Sequence, residues 1–197
     1  VRPSTIDDDA LLEAAREVFR ERGARATTLE IARRAGVSEG SLFKRYATKD
    51  ELLIAALAPP PVNEVLESIG AMLASGPPLE GMARATQRLI AFYREVLPRF
   101  MLMMSCHLTV RDFFCDQQDP PPVRMLRGLT GHLQGQMDAG RLAPSDAEVL
   151  ARMWVGSVTS WVMAELQCIQ EKMPMEEERM VHGIARQLTL RPEGAAP

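Results

Sequence analysis

Apolar residues recur at three- and four-residue spacing along most of this chain. Near its start they fall at Leu11, Leu12, Ala15, Val18 and Phe19, one stripe of an amphipathic helix. Asp7, Asp8 and Asp9 suit the positive end of that helix's dipole. Gly23 follows its last turn as a residue able to take the left-handed conformation. Thr27 has Glu30 three residues on, the capping-box spacing, which predicts a second helix with Ile31, Ala32 and Ala35 inward and Arg33 and Arg34 outward. Gly36 makes a turn with Val37 beneath it, and Ser38 caps a third helix carried through Tyr46. Leu42 and Tyr46 share one face of that helix. A second capping box, Thr48 with Glu51, opens a fourth helix lined by Leu52, Leu53, Ala56 and Leu57.

Pro59–Pro61 then interrupts the pattern, because successive prolines lack donors and push the preceding residues out of the helical region. The expected division is a small domain over 1–58 and a larger one over 59–197. The larger reads as helices over 62–75, 79–96, 99–115, 121–140, 145–171 and 175–189, separated by proline and glycine. Within 145–171, Leu150, Trp154, Val158 and Trp161 form one stripe, and the small residues Gly156, Ser160 and Ala164 form another. Val181, Ile184 and Leu188 line the last helix.

Composition agrees with an all-α fold. Helix formers dominate, aromatic residues are 5% of the chain, and alternating β-branched runs are nearly absent. No apolar run approaches the roughly 18–20 residues that span a bilayer, and the opening VRPSTIDDD lacks the apolar centre of a secretory signal. The three cysteines, Cys106, Cys115 and Cys168, are odd in number and show no CxxC spacing, which fits a reducing cytoplasm. The net charge of −3 conceals a contrast along the chain. Residues 20–50 hold eight Lys/Arg against four acids, whereas residues 51–197 hold thirteen against seventeen. A basic excess there attracts polyanions, although a solvated helix face carries similar charge.

LLEAAREVFRERG followed by IARRAGVSEGSLFKRYATKDELL resembles the DNA-binding domain of TetR/AcrR-type transcriptional regulators over about 45 residues. The resemblance implies an N-terminal helix-turn-helix three-helix domain, then a helical domain that binds an effector and dimerises. It implies a homodimer on a palindromic DNA operator, repressing until a small hydrophobic effector binds, with no cofactor, metal, membrane or catalytic role. The DNA-facing positions it implies are Thr27, Arg33, Arg34, Ser38, Glu39, Gly40, Ser41, Phe43, Lys44, Arg45, Tyr46 and Lys49. The last two helices would form the dimer interface through Gly156, Ser160, Ala164, Val181, Ile184 and Leu188, packing within one subunit being the alternative for each. Three departures stand out: a loop one residue short before Ile31, polar Thr28 where an apolar residue is usual, and Phe43 and Arg45 in place of hydroxyl- or imidazole-bearing residues.

Soft apolar residues nominate an effector pocket: Phe92, Met101, Met104, His107, Phe113, Met125, Trp154, Val158 and Trp161, with ordinary core as the alternative for each. His107 reads as a hydrogen-bonding side chain; Cys106, His107, Cys115 and Asp116 leave a metal site as a remote alternative. Two other functions stay open, an effector-independent DNA-binding protein and an all-α enzyme or carrier. Against the enzyme, no Ser/His/Asp, Cys/His, glycine-rich phosphate or paired-carboxylate arrangement appears.

Overall fold

The structure is a computed structural model that describes residues 8–106 and 118–189. These are helical, without strands, and gather into two compact units: 8–59 with 98–106, and 60–97 with 118–189.

In the first unit, α1 (Asp8–Arg22) leads through a 3-10 turn (Gly23–Arg25) to α2 (Thr28–Arg34), α3 (Glu39–Phe43) and α4 (Lys49–Ala56). The α1 stripe is buried as the spacing predicts: Leu11, Ala15, Val18 and Phe19 meet Ile31, Ala32, Leu42, Leu52, Leu53 and Ala56 in one core. Met103, from the far end of the long helix described next, is buried in this same core, with Leu102 and Cys106 against it.

The second unit holds α5 (Val62–Ala74), most of α6 (Pro78–Ser105), α7 (Pro121–Asp138), α8 (Ala147–Leu166), a short α9 (Ile169–Lys172) and α10 (Glu177–Thr189). Its core joins Val65, Ile69, Met82, Leu89, Ile90, Leu129, Leu133, Trp154 and Val158 with the inner face of α10. Thr86 is its buried polar residue among those described. The hydroxyl donates to the Met82 carbonyl at 2.8 Å and accepts the Trp154 indole N–H at 3.0 Å, so both groups enter the core satisfied. Glycine permits close approach at several places, among them Gly70 against the His132 ring and Gly81 against the Met72 carbonyl. A Cβ on Gly128 would lie 2.3 Å from Leu66 Cδ1, so the Leu66 side chain of α5 occupies the space that the glycine of α7 leaves open. Arg94 of α6 binds Glu165 of α8 through two N–H donors, at 2.5 and 3.0 Å, and also donates to Glu177 of α10, tying three helices together. Its guanidinium holds the Glu165 carboxyl below the usual range.

Several expectations change. Pro98 does not separate two helices: α6 runs through it. The lost backbone bond costs about 3 kcal/mol, and apolar anchors on either side offset it, with Leu89, Ile90 and Phe92 buried before the proline and Met103 after it. The 145–171 helix ends at Leu166, where Cys168 takes a left-handed φ of +56° before α9. Val181, Ile184 and Leu188, expected at a dimer interface, are buried in the second unit's own core. The nominated effector residues divide too. Phe92, Met125, Trp154, Val158 and Trp161 pack in that core, whereas Met101 and Met104 are exposed on the α6 segment that belongs to the first unit. His107 and Phe113 lie outside the described residues.

Trp154→Phe removes the donor to a buried hydroxyl and leaves part of the indole volume empty. A loss of about 2 kcal/mol is expected in urea denaturation, with no change in helix content.

Candidate nucleic-acid interface

Helices α2 and α3 are joined by a turn that only one backbone conformation closes. Gly36 adopts φ +68°, its N–H donates to Arg33 O at 3.2 Å, and the Val37 N–H donates to Ala32 O at 2.9 Å. That pair of bonds is the Schellman closure of α2, and it uses the conformation glycine takes without a Cβ penalty. At the other end of α2, the capping box at Thr27 is complete. The Thr27 hydroxyl accepts the Glu30 N–H at 3.2 Å, and Thr27 N–H donates to the Glu30 carboxylate at 3.1 Å. The Thr27 hydroxyl and backbone N–H hold the Glu30 carboxyl below its ordinary range.

Ser38 caps α3 by accepting the Ser41 N–H at 3.1 Å, and the two serine hydroxyls lie 2.8 Å apart. The assigned helix stops at Phe43 rather than Tyr46; the Arg45 N–H shifts to the nearer Leu42 carbonyl, a tighter i→i+3 turn. Leu42 is fully buried beneath the helix, while Gly40, Phe43 and Lys44 face solvent. The second capping box is half formed. Thr48 accepts the Glu51 N–H, but the Glu51 carboxylate takes the Ala47 N–H at 2.8 Å instead of returning to Thr48.

The expected DNA-facing cations separate into two groups. Arg34 is clamped by Glu21 at 2.6 and 2.9 Å, with Glu17 at 3.5 Å. Those bonds raise the Arg34 pKa and lower that of Glu21. Arg45 pairs with Asp8 at 2.6 Å. Lys49 donates to Ala24 O at 2.7 Å, fastening the loop that leads into α2. Arg33 and Lys44 are exposed and make no ion pair among the described residues. Arg25, exposed on the 3-10 turn and likewise without an ion pair among those residues, escaped the sequence reading because no helical phase assigned it a face. Tyr46 is half-buried, its hydroxyl pKa raised by burial and by the Asp8 charge.

Polar Thr28 also acquires a reason. Its hydroxyl donates to the Glu39 carboxylate at 2.6 Å, joining the start of α2 to the start of α3. Glu39 is thereby occupied, and a residue read as DNA-facing serves to fix the angle between the two helices.

Two short helices, a glycine turn and a solvent-facing second helix ending in an exposed lysine define a helix-turn-helix, the class of module that lays one helix in the DNA major groove. Residues 11–56 match the family model of bacterial regulatory proteins of the tetR family. The chain is 34% identical over 94 residues to an HTH-type transcriptional repressor from Mycobacterium tuberculosis, a match covering 47% of this chain and 45% of that protein. The chain thus matches about half the length of its curated relatives. A transcriptional regulator from Rhodococcus sp. Rha1 shares the fold with a TM-score of 0.60 at 21% identity, over 93% of this chain and 98% of that one. The regulator FadR from Bacillus subtilis, solved in complex with stearoyl-CoA, shares it with a TM-score of 0.58 at 16% identity, over 93% and 98%.

Asp8 competes with DNA phosphates for Arg45. Asp8→Asn is expected to tighten duplex binding roughly two- to fivefold at low salt, the gain shrinking as salt rises. Lys44→Ala is expected to weaken binding and to flatten the plot of log affinity against log salt by about one unit. Fluorescence anisotropy across a salt series measures both.

Proposed function

We propose that this protein is a homodimeric transcriptional repressor that holds a palindromic operator through α2 and α3 and releases it when an apolar effector binds the second unit. The observation that carries the reading is the outward face of α3. Its buried pole, Leu42, is anchored in the core, and its opposite side presents a bare glycine and a lysine with no ion pair among the described residues. One five-residue helix makes few contacts, so two copies spaced about 34 Å apart, one turn of DNA, supply the affinity jointly. The curated relatives are HTH-type regulators, one of them a repressor, which supports this mode of action.

The dimer face of this proposal centres on the exposed side of α8 and the groove beside α10, whose lining includes Ile184 and Leu188 of the α10 stripe. On α8, Val149 and Met153 are about half exposed, and Gly156 and Ser160 face solvent. An open groove of about 400 Å³ runs between α8 and α10, lined by Met153, Ser157, Met180, Gly183 and Gln187 among others. Nothing lies within 4 Å of a Cβ added to Gly156 or Gly183, so both leave room for an approaching helix. For the effector, the shared fold with FadR makes long-chain acyl-CoA thioesters the first ligands to titrate. Such a ligand lowers DNA affinity only by binding one arrangement of the dimer better than the other.

Selection from random duplexes with the full chain is expected to recover an inverted repeat, and stearoyl-CoA is expected to release it in an anisotropy titration. Recovery of no preferred sequence would refute operator binding; a complex indifferent to acyl thioesters would refute that effector class. Met153→Glu places a charge on the proposed dimer face at a position already exposed. Sedimentation is expected to shift toward monomer, with DNA affinity falling while the thermal melt of the fold stays close to wild type.

A further inference from the structure

The chemistry left free on α3 is narrower than its sequence suggests. Successive residues rotate by about 100° around a helix. With Leu42 as the inward pole, Gly40 and Lys44 stand opposite it, and Ser41 and Phe43 occupy the two flanks. Ser41 is turned to Ser38, and Glu39 to Thr28. Among the described residues, what α3 leaves for a groove is the Lys44 ammonium, the solvent-facing Gly40, and the Phe43 ring, 45% exposed to water. A phenyl ring offers no donor and no acceptor. Placed against most base edges of the major groove it would strip water from polar atoms without replacing the lost bonds. The exception is the 5-methyl group of thymine, the apolar feature of that groove.

We infer that Phe43 reads a thymine methyl group in each half-site, so that the operator carries a fixed T·A pair opposite the last turn of α3. This rests on the operator reading above and adds a base identity to it. Gly40 assists, since the first turn of the helix has no side chain on its outer side and can approach the groove closely there, bringing the flanking ring nearer the groove floor. Lys44 contributes affinity through phosphate and leaves this position's identity to the ring.

The test uses the full chain and the duplex recovered by selection. Each dT is replaced singly by dU, which deletes the methyl group and preserves every hydrogen-bonding atom. The wild type is expected to lose about fourfold in affinity at one position per half-site, the effect of removing one buried methyl-sized group. Phe43→Ala is expected to bind more weakly and to be indifferent to dU at that position, with an unchanged thermal melt. Lys44→Ala is expected to bind more weakly while keeping the dU sensitivity. A wild type indifferent to dU everywhere, or a Phe43→Ala variant that keeps the sensitivity, overturns the inference and leaves operator binding standing. Recovery of no preferred duplex overturns both.

Discussion

A helix of five residues forms too few internal hydrogen bonds to persist by itself, because nucleation costs more than one turn returns. Everything in the first unit bears on holding α3 in place despite that. Leu42, fully buried, fixes the inward face. Gly36 fixes the direction of entry, Ser38 satisfies the free Ser41 N–H, and the Thr28–Glu39 bond fixes the approach of α2 to α3. The outward residues have little structural work in consequence, which leaves them free to meet a ligand.

The distribution of charge follows the same division. Cations near α3 that have carboxylate or carbonyl partners brace the unit: Arg34 joins α2 to α1, Arg45 joins the end of α3 to Asp8, and Lys49 joins α4 to the loop after α1. The basic excess of residues 20–50 is therefore smaller, as a free field, than its formal count. An exposed pair such as Arg45–Asp8 is weak in water, so it orients a guanidinium without locking it away from a stronger competitor.

In the second unit the constraint is close packing of helices around Trp154. The indole N–H has a buried partner in Thr86, Gly128 admits Leu66, and Arg94 gathers α6, α8 and α10 at one edge. The apolar stripe of α10 packs in this core, while Val149, Met153, Gly156 and Ser160 of α8 face solvent. Phe92, Met125, Trp154, Val158 and Trp161 share the same core, whose density comes from their interlocking rather than from any one of them.

The helices of the first unit were legible in the order of residues because their signals are local. Caps act across three residues, stripes across four, and a turn glycine at one. The buried stripe of α1 and the positions of Leu42 and Gly36 follow from such spacing, and the class of module from the family resemblance that the same residues carry. Partners distant in sequence had no such signature. Only the folded chain decided that Thr28 would reach Glu39, that Lys49 would reach Ala24, that Met103 would join the first core, and that α6 would continue through Pro98. Periodicity showed that α8 carries an apolar and a small-residue stripe and that α10 carries an apolar one; which face turns inward is settled by competition among all neighbouring surfaces for burial, and that competition exists only in three dimensions.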